Sequence, residues 1–392
     1  MHKRIKQIAI GLTCLGLSLP AVAAEEWRFN NFLPETRPES AELEKFVMDV
    51  NTALAGKMSL KLFSGGSLGL PNTDTMRFLP KGAVEMSLMW ANYLGRDAPA
   101  LSSVVVQGAI GSIEEFEKAI PTVREIYQEE FAEWDVTSVG YVAIPMLSVS
   151  VFCRDEPVRS IEALKTKKLR VWARDQVEVF TRLGVAAQII PQDEMYVAMK
   201  TGVVDCALYP ALYAHTVSLQ EVAKYASFLY PMASGPYVIG VATERWKETD
   251  EVTKTAITTA ADALWARTNQ YEDDFKNELK AREKLVEGGI VWGDDFPKAD
   301  RDIFVSSVTE TWKMLAEEAG GNAPAYRARV LKAVGRLLGF YEISSKKNNI
   351  ARTGVSGPRV RYAGRNQFDG NSCRYSHQRF YAQICKFTTP HN

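Results

Sequence analysis

Apolar positions in the first part of the chain switch between two periods. "EWRFNNF" (26–32) places apolar residues at alternate positions and predicts a strand. "PESAELEKFVMDVNTALAG" (38–56) spaces them at helical intervals and stops at Gly56, a residue suited to ending a helix. "MSLKLF" (58–63) reads as a strand, "NTDTMRFLPKG" (72–82) as a short helix with its stop, and "AVEMSLMW" (83–90) as another strand. Strand, helix and strand in succession predict βαβ units and a mainly parallel sheet.

A second set follows the extended run "SVGYVAIPMLSVSVFC" (138–153). It comprises "KKLRVWA" (strand), "DQVEVFTRLG" (a helix capped by Asp175 and ended by Gly184), "AAQIIP" (strand), "DEMYVAMKTG" (helix) and "VDCALYP". A helix from about Ala211 to Ala223 and a return strand in "GPYVIGVATERW" complete it. Two long extended runs, each able to pass between lobes, predict two α/β lobes joined by crossing strands, the topology of a hinged binding protein. Residues 250–287 keep helical periodicity for nearly 40 positions. A continuous helix of that length would span about 55 Å, more than either lobe needs, so it is expected to brace both.

The first 24 residues settle the expected compartment. "MHKRIK", a short apolar core and "AVAA" form a secretory signal peptide cut after Ala23 or Ala24. The apolar run is short for a membrane span, and "GLTC" around Cys14 lacks the usual lipoprotein pattern. The 368 residues that remain suffice for two domains. Residues 346–392 carry nine Lys/Arg and one acid, Asp369; that surplus of eight and the leader's three positive charges leave −11 on residues 25–345. An acidic body repels nucleic acid. Its only cysteines are Cys153 and Cys206, too few for a disulfide scaffold.

"GGSLG" (65–69) fits the nucleophile-elbow pattern with Ser67 as nucleophile, between a predicted strand and helix. The only histidine of the body is His215, so a secreted serine hydrolase built on Ser67 and His215 is the competing reading; a glycine-rich turn that lets backbone approach a ligand is the simpler one. No metal-ligand spacing, G-x-G-x-x-G or Walker motif occurs in the body, and no metal or cofactor is expected. "KLRVW" (168–172) is the most demanding stretch. Arg170 sits between Leu169 and Val171 on an apolar strand, where an unpaired guanidinium is costly. Its counter-charge is either a protein acid (Asp193, Glu194 or Asp205) or a ligand carboxylate.

The block "LRVWARDQVEVFTRLGVAAQIIPQDEMYVAMKTGVVDCALYP" resembles the solute-binding proteins of tripartite ATP-independent periplasmic (TRAP) transporters. Their pattern joins a Leu-Lys-Ile/Leu-Arg strand, a helix ending in Leu-Gly, a Glu-Val-Tyr-x-Ala-Leu-Gln-Thr-Gly helix and Val-Asp-Gly-x-Glu-Asn-Pro. "FLPETRPESAELEKF", "LKLFSGGSLG" and "AVEMSLMWANYLGRDAPAL" look like the family's first lobe, and the likeness covers roughly residues 26–335. It implies a two-lobed periplasmic clamshell with crossing hinge strands and a long brace helix, no catalysis, and a monomer that hands an organic acid to membrane permease subunits. It also implies that Arg170 grips the ligand carboxylate, a bidentate contact that a planar guanidinium suits.

At the other positions the chain departs from the family. The asparagine that assists the carboxylate falls on Tyr209, and a second basic residue falls near Ser150. Trp90 stands where sugar-acid binders have glutamate, Phe32 and Leu70 replace polar groups, and Gln192 lies where an aromatic often sits. With Trp172, these residues imply a broad apolar pocket around one firm cation, suited to a monocarboxylate with an apolar or aromatic body. The expected domains are a signal peptide (1–24), a first lobe (25–147), a second lobe (148–236), a return to the first lobe with brace and C-terminal helices (237–340) and a basic extension (341–392). The extension reads as weakly ordered, as a loop closed by Cys373 and Cys385, or as an altered reading frame. A sensor subunit presenting ligand to a receptor is the third function class.

Overall fold

The structure, a computed structural model, describes residues 25–336. The leader with Cys14 and the extension with Cys373 and Cys385 lie outside the described residues. The described chain holds strands β1 (Glu25–Asn30), β2 (Met58–Phe63), β3 (Met86–Met89), β4 (Val136–Val142), β5 (Leu147–Cys153), β6 (Lys168–Val171), β7 (Ala186–Ile189), β8 (Cys206–Pro210), β9 (Tyr225–Met232), β10 (Tyr237–Ala242) and β11 (Val291–Trp292).

Two sheets result. One has the order β2-β1-β3-β10-β4, the other β11-β9-β5-β8-β6-β7. The first predicted extended run crosses between them, β4 leaving the first sheet and continuing as β5 in the second; the second crossing runs from β9, a strand not predicted, into the expected return strand β10. The α/β two-lobed expectation holds, but the sheets are mixed rather than mainly parallel. β1 pairs parallel with β2 and β3, whereas β10 runs antiparallel to β3 and β4, and β5 antiparallel to β8 and β9. The crossings cause this, because a strand that leaves a lobe and one that returns to it run in opposite senses.

The 250–287 segment is not one rod. It divides into the helices Glu251–Thr268 and Asp274–Glu287. The first is capped by the Asp250 carboxylate, which accepts from the Val252 and Thr253 amides, and packs on the helix Pro38–Ala53 and on β4. The second packs on β5, β11 and the short helix Ala211–Ala214, so part of the expected return to the first lobe belongs with the second sheet. Between them Tyr271 turns inward, 4% exposed, with its ring 5.0 Å from that of Phe116. Burying that ring and aiming Asp274 at the Met146 amide (2.8 Å) interrupts the helical periodicity.

The helix that touches both lobes is Lys298–Ala319. Its 22 residues span about 33 Å. Ser307 donates to the Val179 carbonyl (2.9 Å) in the second lobe, and Trp312 Nε1 to the Ser103 carbonyl (2.8 Å) in the first. Cys153 and Cys206, directly opposite in the β5–β8 register, form a disulfide that the sequence reading did not anticipate. The helix Ala211–Ala214 gives way to single 3-10 turns instead of continuing to Ala223.

Candidate ligand-binding cleft

β6 is buried from Leu169 onward, and its next residue delivers Arg170 to the heart of the second sheet. The side chain is 0% exposed. Its Nε donates to the Ile190 carbonyl (2.9 Å) and Nη1 to the Leu208 carbonyl (3.3 Å); Nη2 is buried with no partner. No carboxylate among the described residues forms a salt bridge with it. Asp205, one of the sequence candidates, instead accepts from the Lys168 amide (2.8 Å). Burial pulls the Arg170 pKa below its ordinary value, opposed by Tyr93, Tyr209 and Asp193 nearby. Two carbonyls orient this cation without neutralising it.

Arg170 lines a narrow cavity of about 40 Å³ between the lobes. The first lobe contributes Phe32, Leu33, Arg37, Trp90, Tyr93 and Tyr237, the second Trp172, Gln192, Tyr209, Pro210 and Tyr213, and Ile144 and Leu147 flank the first crossing. Six of the eight predicted site residues therefore meet here: Phe32, Trp90, Arg170, Trp172, Gln192 and Tyr209. Trp90 donates its indole N–H to Ser234 (2.9 Å) and packs edge-on against Tyr93, with centroids 4.7 Å apart. Phe32 lies 5.7 Å from Tyr237 in the same manner. Tyr209 donates to Gln192 Oε1 at 2.8 Å. The Trp172 indole N–H is buried and unpartnered, which gives the cavity wall a second idle donor beside Arg170 Nη2.

Ser150 and Leu70 do not line the cavity. Ser150 is opposite Tyr209 in the β5–β8 register and fully buried. Opposite residues share a sheet face, and the longer Tyr209 is the one that reaches the cleft. Leu70 follows the turn at Gly65, Gly66 and Gly69, all at positive φ, and its carbonyl accepts from Asn30. Ser67 in that turn and His215 are both exposed, and no hydrogen bond joins them.

The cleft holds two cations where one was expected, the second being Arg37. It precedes Pro38 at the start of the helix Pro38–Ala53. Its Nε and Nη2 each lie 3.0 Å from the Glu39 carboxylate, with the two side chains 4% and 5% exposed. Tyr213 from the second lobe donates to Glu39 (2.5 Å), and its ring lies 3.3 Å from the Arg37 guanidinium carbon. Burial lowers the Arg37 pKa, but Glu39 together with Tyr213, Tyr237 and Tyr209 outweighs it and leaves the group well above its ordinary value; Glu39 is held down in turn, burial being overcome by Arg37 with help from the Tyr213 hydroxyl. The sequence carried a signal for this pair. A cation at a helix N-terminus opposes the helix dipole, so Arg37 there, two residues before a glutamate, calls for a local partner.

An aromatic cleft between two α/β lobes joined by crossing strands, with a buried cation of unspent charge in its wall, is what a solute-binding receptor requires. The chain belongs to the bacterial extracellular solute-binding protein family 7, whose profile matches residues 29–319. This is the TRAP solute-binding family, whose members are periplasmic receptors rather than enzymes. A solute-binding protein of Chromohalobacter salexigens is 24% identical over 296 residues, covering 74% of this chain and 85% of that relative. Among solved structures, a Bordetella pertussis receptor binding pyroglutamic acid gives a TM-score of 0.69 at 17% identity, covering 80% of this chain and 100% of that one. A Rhodoferax ferrireducens protein with malonate gives 0.68 at 19% identity, covering 80% and 99%. A Chromohalobacter salexigens protein with D-glucuronate gives 0.67 at 20%, covering 79% and 99%. Among the described residues no helix is long and apolar enough to cross a membrane.

Proposed function

We propose that this TRAP-type receptor captures a monocarboxylate through an Arg170–carboxylate salt bridge and delivers it to the membrane permease. The observation that supports the reading is the Arg170 guanidinium: fully buried, oriented by two carbonyls, without a salt-bridged carboxylate among the described residues and with Nη2 idle. A buried cation is strongly unfavourable until paired, and a ligand anion entering the cleft supplies the pair where water is excluded. Trp172 Nε1, buried and unpartnered on a residue that lines the same cavity, supplies a second donor to that carboxylate in this reading. Phe32, Trp90 and Tyr93 form an apolar wall for the ligand body. With a cavity of about 40 Å³, the reading favours a short acid; an aryl acid requires the lobes further apart.

A thermal-shift and calorimetric panel of organic acids on wild type and Arg170→Ala tests this, because binding to the folded state raises the melting temperature. The expected result is stabilisation by short monocarboxylates that disappears in the variant. Equal stabilisation of both proteins would remove Arg170 from the site. Scattering with and without a stabilising acid should show the lobes drawing together about residues 143–146 and 233–236.

A further inference from the structure

We infer that Arg37, its charge balanced by Glu39, is the specificity-determining group of the cleft: it recognises a neutral oxygen on a monocarboxylate and excludes a second carboxylate. The inference rests on the reading that Arg170 holds the ligand carboxylate. The two guanidiniums line one cavity from opposite lobes. Arg37 spends Nε and Nη2 on Glu39 at 3.0 Å, while Nη1 makes a long contact to Gln192 Oε1 at 3.5 Å and Nη2 a further long contact to Tyr237 at 3.4 Å. Gln192 Oε1 already accepts from Tyr209 at 2.8 Å, so Nη1 is the most weakly committed donor of the pair.

The charge balance decides what that donor accepts. The Arg37–Glu39 pair is neutral as a unit, and Tyr213 further anchors the carboxylate. A second ligand carboxylate would meet Glu39 as well as Arg37 and would lose its hydration without a free counter-charge. A carbonyl or hydroxyl oxygen needs only a hydrogen bond, and Nη1 offers one. The cleft therefore matches oxo- or hydroxy-monocarboxylates over unsubstituted acids of the same skeleton, and over dicarboxylates. Discrimination rests on an unpaired donor in one case and an unpaired charge in the other.

Glu39→Gln provides the test, because it keeps the shape of the side chain but unmasks the charge of Arg37. Pyruvate, lactate, propionate, malonate and succinate are titrated into wild type, Glu39→Gln and Arg170→Ala by calorimetry. Wild type should bind pyruvate or lactate at least about tenfold more tightly than propionate, the scale of one hydrogen bond in a buried site. Glu39→Gln should gain at least about tenfold for malonate or succinate, with propionate nearly unchanged. Equal binding of propionate and its oxo and hydroxy analogues to wild type overturns the inference, as does a folded Glu39→Gln that still rejects both dicarboxylates, or a wild type that binds neither pyruvate nor lactate. Should circular dichroism show Glu39→Gln unfolded, the neutral pair Arg37→Gln/Glu39→Gln takes its place. Loss of the preference for pyruvate or lactate over propionate there supports the assignment, and its retention refutes it. Binding that survives Arg170→Ala would instead defeat the carboxylate reading, whereas Arg170-dependent binding without an oxygen preference defeats this inference alone.

Discussion

Two arginines face one cleft, and they are buried for different reasons. On the first lobe, Arg37 is matched by a carboxylate two residues away, two hydrogen bonds and a tyrosine ring. On the second lobe, Arg170 is more deeply buried yet receives only two carbonyl oxygens. The chain has completed the first charge and left the second open. Burial alone does not point to a cation that takes a ligand charge; burial without a counter-charge among the described residues does. Local pKa follows the same division, up for Arg37 and down for Arg170.

Removing the completed cation costs the protein most. Arg37→Met leaves Glu39 buried without its partner and should destabilise the ligand-free protein by about 3–5 kcal/mol. Denaturant unfolding measures this. A loss below about 1 kcal/mol would mean that the pair is dispensable and that the two arginines do not differ as argued.

Arg170→Met is the counterpart, with the opposite signature. The ligand-free protein should melt at the wild-type temperature or higher, since the variant removes a desolvated charge that has no carboxylate partner. Binding of any acid that stabilises wild type should weaken by about 2–5 kcal/mol, the loss seen when one side of a buried charged pair is truncated. Arg170→Lys should recover little of it, because an ammonium lacks the planar two-point grip. A ligand-free Arg170→Met that unfolds would make Arg170 structural after all. Within the same site, Trp172→Phe keeps a ring and deletes the idle indole N–H; about tenfold weaker binding with unchanged melting is expected. Unchanged affinity would show that the carboxylate is held from the Arg170 side alone.

What the sequence made legible follows from the range of the interactions involved. Period-two and helical patterns placed most strands and helices, because each depends on residues a few positions apart. Arg170 was legible for a related reason: a cation among Leu169, Val171 and Trp172 violates the pattern of its own strand. The partition of 250–287 was not, because Tyr271 and Asp274 break the helix to reach Phe116 and Met146, more than a hundred residues earlier. The Cys153–Cys206 bond was hidden likewise, since only the β5–β8 register makes those residues neighbours. Tyr93, Tyr213 and Tyr237 enter the cleft from three separate elements and left no local sign. Arg37 was the avoidable omission, because its conflict with the helix terminus and the nearby Glu39 were both visible.

The division between completed and open charges extends to buried carboxylates, where its sign reverses and its effect is smallest. Glu39 is paired and its pKa is lowered. Asp175, 4% exposed at the start of the helix Arg174–Arg182, does not cap that helix; one oxygen accepts from the Gln107 amide (2.8 Å) and the other has no partner. Burial pushes its pKa up to about 6 from 3.8, with the Gln107, Gln176 and Asp175 amides opposing. A folded-state pKa above the unfolded one means that the native state binds more protons between the two values, so this group's contribution to stability falls as pH rises through that window. Asp175→Asn keeps an acceptor for Gln107 and removes the charge. Relative to wild type it should gain stability as the pH rises from 4 to 6, show no difference at pH 4 and hold a constant advantage above that window. Urea unfolding of both proteins across that range measures the difference and cancels the slopes of the other carboxylates. A variant less stable at pH 7 than at pH 4, relative to wild type, would show Asp175 to be a completed charge with a favourable partner, and would place it with Glu39 rather than with Arg170.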